Sequence, residues 1–377
     1  EIGSGLVGSE MCIRDRPFIM KRHIIILLIT FLCLPEYLEA QLKYYDAAKF
    51  PLYGKATKNT ENRYERLPDS LKHVSRKPVW NLSRNSAGLA IRFCSNSTTI
   101  ATKWENLNNN LMNHMTPTGT KGLDLYTWVD GAWRFVNSGR PTGKVNQATI
   151  IANMEPVERE YMLYLPLYDG VISLSIGIDA EASISVPRTA IPVRTKPIVF
   201  YGTSILQGGC ANRPGMAHTN IISRRLNREI VNLGFSGNAL LDYEIAEVMS
   251  SVDAGVYVLD FVPNASSDQI YEKMETFYRI LRDKHPRTPI IFIEDPVFTH
   301  ALFDKKIAIE INKKNKAVNS VFKSLKTKGE KNIYIISSEK MLGEDGEATV
   351  DGIHFTDLGM MRYADLVCPV IKKVLKK

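Results

Sequence analysis

The pattern of apolar and polar positions along the chain changes near residue 192. Before that point, apolar residues alternate with polar ones or run together over short stretches, and turns rich in Gly, Asn, Asp and Pro separate them. Short runs at regular spacing predict β-strands, and a succession of them is typical of a β-sandwich. The runs are GLAIRFCS, TTIATKW, LDLYTWV, AWRFVNS, QATIIANM, REYMLYLPL and VISLSIGI. We therefore predict a β-sandwich domain over residues 41–192.

After a proline-rich linker, SVPRTAIPVRTKP, strand-like and helix-like patterns alternate. The strand-like runs are PIVFYG, EIVNLG, VYVLDF, PIIFIED and NIYIISS. Such alternation predicts a parallel sheet covered by helices on both faces. We assign this α/β domain to residues 193–377. The predicted helices cover 216–228, 239–250, 267–284, 304–326 and 357–372.

The first forty residues precede both domains. We interpret residues 1–19 as a non-native artefact, because a much better start follows at Met20. From there a basic pair, Lys21 and Arg22, precedes an apolar run at 24–34 that is too short to span a membrane. A small-residue cleavage site at Ala40 completes the pattern of a signal peptide, and we expect a secreted or periplasmic protein without stable membrane insertion. An N-terminal anchor and a lipoprotein attached at Cys33 are the weaker alternatives.

Composition narrows the class of protein. Hydrophobic residues make up 44% and charged residues 23% of the chain, as in ordinary globular proteins. The net charge of +8 is spread along the sequence without interleaved aromatic residues, so we expect no nucleic-acid partner. Removal of the signal would leave Cys94, Cys210 and Cys368, which make neither a disulfide framework nor a zinc-binding spacing. A single disulfide bond between two of these cysteines is left as an alternative.

Chemistry-bearing residues follow four of the five predicted parallel strands. Ligands bind beyond the carboxyl ends of the strands in an open α/β sheet. Ser204 follows the first strand in YGTSI, Gly237 the second in NLGFSGN, and Asn264 the third in DFVPNAS. Asp351 and His354 follow the fifth in VDGIHFTD. We expect these residues to meet at one edge of the sheet, with Ser204 exposed at its strand end.

The five residues suit acyl transfer. A serine hydroxyl is a weak nucleophile until a base takes its proton, and His354 can be that base. Asp351 lies three residues earlier and can hold the other ring nitrogen of His354. The backbone N–H groups of Ser204 and Gly237 and the side-chain amide of Asn264 can stabilise the oxyanion that forms on an attacked carbonyl.

These four blocks, in this order, resemble the SGNH (GDSL-type) hydrolase superfamily of esterases and acetylhydrolases. The resemblance implies a flavodoxin-like three-layer α/β/α fold with five parallel strands. It also implies Ser204, His354 and Asp351 as catalytic residues, Ser204, Gly237 and Asn264 as the oxyanion hole, and no metal or cofactor. Two departures stand out: Thr203 replaces the Asp usual beside the nucleophile, and Val262 and Ala265 replace the usual neighbours of the asparagine.

The segment KGLDLY, residues 121–126, resembles the Gly-x-Asp-Leu-Tyr signature of a β-rich domain that precedes some bacterial SGNH esterases. We interpret Asp124 and Tyr126 as a structural turn and core pair. A contribution of the β domain to the active-site wall is the alternative.

Several residues have a second interpretation. Asn264 also lies in a glycosylation sequon and at a candidate helix N-cap. His300 is the runner-up base, Glu294 and Asp295 form an alternative acid–base pair, and Gly234 is a structural glycine. His218 is a helix cap or lines the pocket, and Cys210 has no base dedicated to it.

Taken together, the residues predict a secreted serine esterase that hydrolyses small acyl esters through an acyl-enzyme on Ser204. The resemblance and the export signal point to acetyl esters, carried by carbohydrates or other small molecules. Three alternatives stay open: a non-catalytic carbohydrate-binding protein, an acyltransferase that uses the same residues, and a phospholipid or platelet-activating-factor-type acetylhydrolase.

Overall fold

A computed structural model describes residues 41–109, 111–187 and 195–376 of the chain. The predicted artefact, the predicted signal peptide and most of the predicted linker lie outside these ranges. Within them, no helix combines the length and the apolar character needed to cross a lipid bilayer.

The first half of the described chain forms two antiparallel sheets. The predicted runs all become strands, and three short strands, β1, β2 and β10, were not predicted. One sheet has the order β1 (Leu42–Asp46), β9 (Val171–Asp179), β4 (Ile100–Asn106) and β7 (Val145–Ile151). The other has the order β10 (Ile184–Ser185), β3 (Ala90–Ser95), β8 (Arg159–Tyr164), β5 (Leu123–Val129) and β6 (Ala132–Gly139), with β2 (Leu52–Tyr53) also pairing with β3. Two short helices, α1 (Lys77–Ser83) and α2 (Pro117–Lys121), interrupt the strands.

The two sheets pack face to face around one apolar core, which confirms the predicted β-sandwich. The alternation of each strand sends every second side chain inward. Ile176 and Trp104 come from one sheet, Phe93 and Tyr161 from the other, and all four belong to the same buried cluster. The rings of Phe93 and Tyr161 stack with their centroids 5.2 Å apart.

The second half forms the predicted α/β/α layers. Its five strands run parallel in the order β12, β11, β13, β14, β15. Their bounds are β11 (Ile198–Gly202), β12 (Ile230–Gly234), β13 (Val256–Asp260), β14 (Ile290–Ile293) and β15 (Ile333–Ile336). This is the flavodoxin-like order, in which the chain reverses direction across the sheet between the first and third strands. The carboxyl ends of β11 and β13 are therefore the expected ligand site.

In the described part of this half, six α-helices accompany the strands. They are α3 (Ser204–Gln207), α4 (His218–Leu226), α5 (Tyr243–Ser250), α6 (Ser267–Lys284), α7 (Lys305–Thr327) and α8 (Asp357–Val374). The prediction for α6 matches in full, because a capping box of Ser266 and Gln269 marks its first turn. The prediction for α5 begins four residues too early. There the chain makes a turn with Leu241 at φ 57°, a left-handed conformation that a helix cannot contain.

The GxDLY segment ties the sandwich to the α/β domain. Asp124 is fully buried in β5, and its Oδ2 accepts hydrogen bonds from Arg213 Nη1 at 2.7 Å and from the Gly215 N–H at 2.8 Å. The hydroxyl of Tyr126 lies 2.7 Å from the same guanidinium. The predicted turn is therefore wrong, whereas the predicted core position is confirmed: Asp124 and Tyr126 are buried strand residues that hold the loop before α4.

Asp124→Asn should lower the free energy of unfolding by about 3 kcal/mol, because it leaves the partly buried Arg213 without its counter-charge. Asp253→Asn is the matched control, since Asp253 pairs with Lys196 on the surface with 68% of its side chain exposed. That pair should contribute less than about 1 kcal/mol. Urea unfolding of both variants measures the difference. Equal losses would show that the buried pair does not join the two domains energetically.

Candidate active site

Ser204 begins helix α3 directly after strand β11. Thr203 caps this helix by accepting the Ile205 N–H at 3.3 Å. The N–H of Ser204 lies in the first turn, where a helix offers no backbone acceptor. We expected Ser204 to be exposed, but only 6% of it is accessible. Ser204 is recessed because His354 of the last loop and Tyr168 of the β-sandwich both contact it.

Three side chains form a continuous hydrogen-bonded line. The hydroxyl of Ser204 donates to Nε2 of His354 at 2.9 Å, and Nδ1–H of His354 donates to Oδ2 of Asp351 at 2.7 Å. The other oxygen of Asp351 accepts the backbone N–H groups of Ile353 at 3.1 Å and His354 at 2.8 Å. The predicted serine, histidine and aspartate are therefore brought together in one chain of contacts.

Asp351 stays a carboxylate over the range in which an imidazole titrates. Partial burial acts to raise the pKa of Asp351, but the hydrogen bonds from His354 and Ile353 act against it and bring the pKa to about 2. The negative charge therefore remains beside the ring of His354, where it favours the tautomer with its proton on Nδ1.

The two triad residues on the last loop come from a distant strand. β15 lies three strands away from β11, a distance of about 14 Å across the sheet. The loop over residues 337–356 returns along the carboxyl edge and closes with a bridge between Thr349 and Phe355. Gly352 has φ 87° at the tip of its turn, a conformation that favours glycine.

The loop after β12 carries Gly237 and is called the glycine loop below. It leaves open space beside Gly237. Gly237 is exposed at φ 67°, and a Cβ there would meet nothing within 4 Å. Gln207 of α3 accepts the neighbouring Ser236 N–H at 3.1 Å, which fixes this loop to the helix of Ser204. By contrast, the Gly234 N–H already donates to Asn232 at 2.9 Å, and a Cβ on Gly234 would lie 2.3 Å from Gln207 N. Gly234 is a packing glycine, and Gly237 is the available donor.

Asn264 follows β13 and faces the same loop. Its Oδ1 accepts the Ala239 N–H at 3.2 Å, so the carbonyl end of the amide is engaged with the glycine loop. The NH₂ end points the other way and has no partner among the described residues. The amide is therefore free to donate to a ligand. In the helix that follows, Ser266 rather than Asn264 is the N-cap.

The β-sandwich supplies two side chains that the sequence did not predict. The hydroxyl of Tyr168 donates to the backbone carbonyl of Ser204 at 3.0 Å. The ring of His114, from the segment between β4 and α2, lies with its centroid 5.4 Å from that of His354. Neither residue belongs to a sequence motif. Their contacts with the site cross between the two domains, so no local pattern could indicate them. The β domain therefore does contribute to the active-site wall, as the alternative interpretation held. The residues that do so are His114 and Tyr168, and not Asp124.

The alternative acids and bases lie elsewhere. His300 packs behind the triad turn, where its Nδ1 lies 2.8 Å from the position of a Cβ on Gly352. Glu294 accepts from the Ser338 N–H at 2.9 Å. Asp295 lies 3.4 Å from Lys314. Both oxygens of Glu294 are engaged in structural hydrogen bonds, whereas Nδ1 of His300 and Oδ1 of Asp295 are buried without a partner among the described residues.

His218 is a core residue and not a cap. It is fully buried at the start of α4, has no capping hydrogen bond, and packs against Tyr363 with the ring centroids 4.1 Å apart and the rings tilted by 34°. Burial lowers the pKa of His218 to about 3, so the ring stays neutral.

Comparisons with known proteins agree with this architecture. The model of the GDSL-like lipase/acylhydrolase family matches residues 195–372, and the GxDLY model, the N-terminus of SGNH hydro-type esterases, matches residues 42–184. A crystal structure assigned as a GDSL-like lipase from Bacteroides ovatus is 39% identical, covers 89% of this chain and 98% of its own, and has a TM-score of 0.85. No curated protein matches the chain.

Two more distant structures share the fold. The salicylyl-acyltransferase SsfX3 from a tetracycline biosynthetic pathway is 14% identical, with a TM-score of 0.72 over 88% of this chain and 97% of its own. A family two carbohydrate esterase from Cellvibrio japonicus is 10% identical, with a TM-score of 0.58 over 89% of this chain and 98% of its own. The close match over nearly the whole length of the Bacteroides structure shows the family. The chain therefore belongs to the GDSL-like (SGNH) ester hydrolases, in the form that carries an N-terminal GxDLY domain.

Proposed function

We propose that this enzyme is exported and hydrolyses acetyl and other small acyl esters, carried by carbohydrates, through an acyl-enzyme on Ser204. The observation that carries the proposal is the line of hydrogen bonds from Ser204 Oγ at 2.9 Å to His354 and from His354 at 2.7 Å to Asp351. This geometry matches the requirement that a nucleophile and its base lie within hydrogen-bond reach and that a third group orients the base.

The reaction proceeds in two halves. Ser204 Oγ attacks the ester carbonyl while His354 Nε2 takes its proton, and Asp351 stabilises the imidazolium that results. The negative oxygen is stabilised by the N–H groups of Ser204 and Gly237 and by the amide of Asn264. The carbon–oxygen bond to the alcohol then breaks, and His354 returns the proton to the leaving alcohol. In the second half, His354 deprotonates a water that attacks the acyl-enzyme, and the proton finally returns to Ser204.

The recess around Ser204 supports a small acyl group. Tyr168 and His114 close one side, and a Cβ on Gly209 would lie 3.0 Å from both His354 Cδ2 and the hydroxyl of Tyr168. Only 6% of Ser204 is accessible, which favours a small acyl group over a bulky one.

The carbohydrate part of the proposal draws on the fold and on the expected export signal. The Cellvibrio japonicus structure with the same fold is a carbohydrate esterase, and its likeness spans both domains. Polysaccharide acetyl esters are found outside the cytoplasm, where the predicted signal peptide would deliver the enzyme.

A substrate panel tests the proposal. The enzyme is assayed against p-nitrophenyl esters of increasing acyl length and against acetylated sugars, with Ser204→Ala as the blank. We expect the highest kcat/KM for acetyl esters and free acetate as the product. A preference for long acyl chains or phospholipid would refute the small-acyl assignment. Transfer of acetate to an added sugar in preference to water would instead identify an acyltransferase.

Asn264→Ala should lower kcat by about 10² to 10³-fold with little change in KM, because the lost donor acts chiefly on the oxyanion. The exposed Asn81 of α1 provides a control, and Asn81→Ala should leave kcat unchanged. Steady-state kinetics with p-nitrophenyl acetate measure both variants. A loss of less than tenfold at Asn264 would place the third donor elsewhere.

Acidification should lower kcat/KM by no more than tenfold per pH unit, because one proton on His354 occupies the nitrogen that takes the Ser204 proton. The carboxylate of Asp351, with its pKa of about 2, should stay ionised down to about pH 3 and add no second step above it. A pH–rate profile in constant ionic strength measures the slope. A hundredfold fall per pH unit would mean that two protons inactivate the enzyme.

A further inference from the structure

Four potential metal ligands meet beside the nucleophile. His114, Cys210, Asp351 and His354 each offer one ligand atom, and these atoms all lie within 4.8 Å of one another. They come from three separate parts of the chain: a β-domain segment, the turn after α3, and the triad loop. The proton-transfer steps described above use Asp351 and His354, whereas His114 and Cys210 take part in none of them.

The ligand set suits zinc. A thiolate, two imidazoles and a carboxylate are the donors that Zn²⁺ takes in tetrahedral sites, with bonds of about 2.0 to 2.3 Å. Such bonds place ligand atoms about 3.3 to 3.8 Å apart, so the longest separation here must shrink by about 1 Å. The side chain of His114 can move that far, because among the described residues its Nδ1 is held by its neighbour Asn113 alone, at 2.8 Å.

Cys210 is held beside the triad in an unfavourable backbone conformation. Its φ of 67° is left-handed, which is rare for a residue with a side chain, and it directly follows Gly208 and Gly209. Strain of this kind persists where the position of a side chain matters. The thiol is not a nucleophile, because burial raises the pKa of Cys210 to about 12. A thiol that is poor in nucleophilic reactions still becomes a thiolate ligand when a metal displaces its proton.

We propose that Zn²⁺ binds His114, Cys210, Asp351 and His354 and reversibly inhibits the enzyme. Both ring nitrogens of His354 are used in the triad, so coordination at either one stops base catalysis. A metal on Nε2 takes the lone pair that receives the proton of Ser204. A metal on Nδ1 leaves the proton on Nε2, which then cannot accept another. The Cys210 proton passes to solvent on binding.

The proposed metal binding depends only on the four side chains, whereas the proposed inhibition also depends on the proposed function. The experiment therefore measures both. Co²⁺ serves as a spectroscopic probe, because a thiolate ligand gives it a charge-transfer absorption band. The full-length enzyme should show this band with Co²⁺ and lose it when Zn²⁺ is added. Cys210→Ser should abolish the band, and Cys368→Ser, on the outer helix α8, should retain it.

Zinc titration of esterase activity provides the second measurement. Added Zn²⁺ should inhibit the wild type, and EDTA should restore the full rate. Cys210→Ser and His114→Gln should each raise the inhibition constant by at least tenfold, relative to each variant's own rate without metal. Circular dichroism verifies that both variants fold, and His114→Gln, on a partly exposed residue, tests the site independently of Cys210.

The outcomes separate the two proposals. A cobalt band that depends on Cys210 in a protein without esterase activity would support the metal site and refute the proposed function. An active esterase with no such band would overturn the metal site. Zinc inhibition of equal strength in the wild type, Cys210→Ser and His114→Gln would overturn it as well, since the ion would then need only the triad.

Discussion

Ser204→Ala is expected to lower kcat/KM for a small acyl ester by at least about 10⁴-fold. Alanine removes the oxygen that attacks the carbonyl, and no other hydroxyl occupies its place in the line to His354. The fold should survive, because among the described residues this hydroxyl makes one side-chain hydrogen bond, to Nε2 of His354. Initial-rate kinetics with p-nitrophenyl acetate and a thermal unfolding curve measure the two effects separately.

A second serine provides the control. Ser337 also follows a strand of the parallel sheet, but its side chain is exposed and accepts only the Glu339 N–H. Ser337→Ala should retain the wild-type rate. Full activity in a folded Ser204→Ala variant would refute the acyl-enzyme mechanism. The Ser204→Ala/His354→Ala double variant should lose no more activity than either single variant, because the two residues act as a unit.

Asp351→Asn is expected to lower kcat by about 10³ to 10⁴-fold without changing the turn. Oδ1 of an asparagine can still accept the N–H groups of Ile353 and His354, which the carboxylate accepts at 3.1 and 2.8 Å. The NH₂ group would then face Nδ1 of His354 and donate to it. The ring would be forced into the tautomer with its proton on Nε2, which cannot receive the proton of Ser204.

Asp345→Asn is the matched control for this carboxylate. Asp345 lies on the same loop but pairs with Arg362 of α8 at 2.7 Å rather than with His354. It should reduce kcat by less than about tenfold. An Asp351→Asn variant that stays within tenfold of the wild type would show that His354 is oriented by another group.

Much of the fold follows from the pattern of the chain. Apolar alternation predicts the strands of the sandwich, and the capping box at Ser266 marks the start of α6. Boundaries were less predictable where the backbone enters a left-handed conformation, as at Leu241 before α5. The edge strands β1, β2 and β10 were missed because they are short or half-exposed, so that their side chains carry little periodicity.

The sequence by itself determined which residues are available for chemistry at the carboxyl edge of the parallel sheet. A side chain directly after a strand must lie at that edge, so Ser204, Gly237 and Asn264 could be placed from strand order alone. Their residue types, with Asp351 and His354 in one short turn, already indicated acyl chemistry.

Only the tertiary structure decided how the last loop and the β-sandwich meet Ser204. His354 follows a strand about 14 Å from β11, and the return of its loop depends on packing that no local pattern encodes. Tyr168 and His114 reach the site from the other domain, held there by contacts such as the buried Asp124–Arg213 pair. Local sequence specifies the conformation of each segment, whereas contacts between distant segments form only when the whole chain buries its apolar surface.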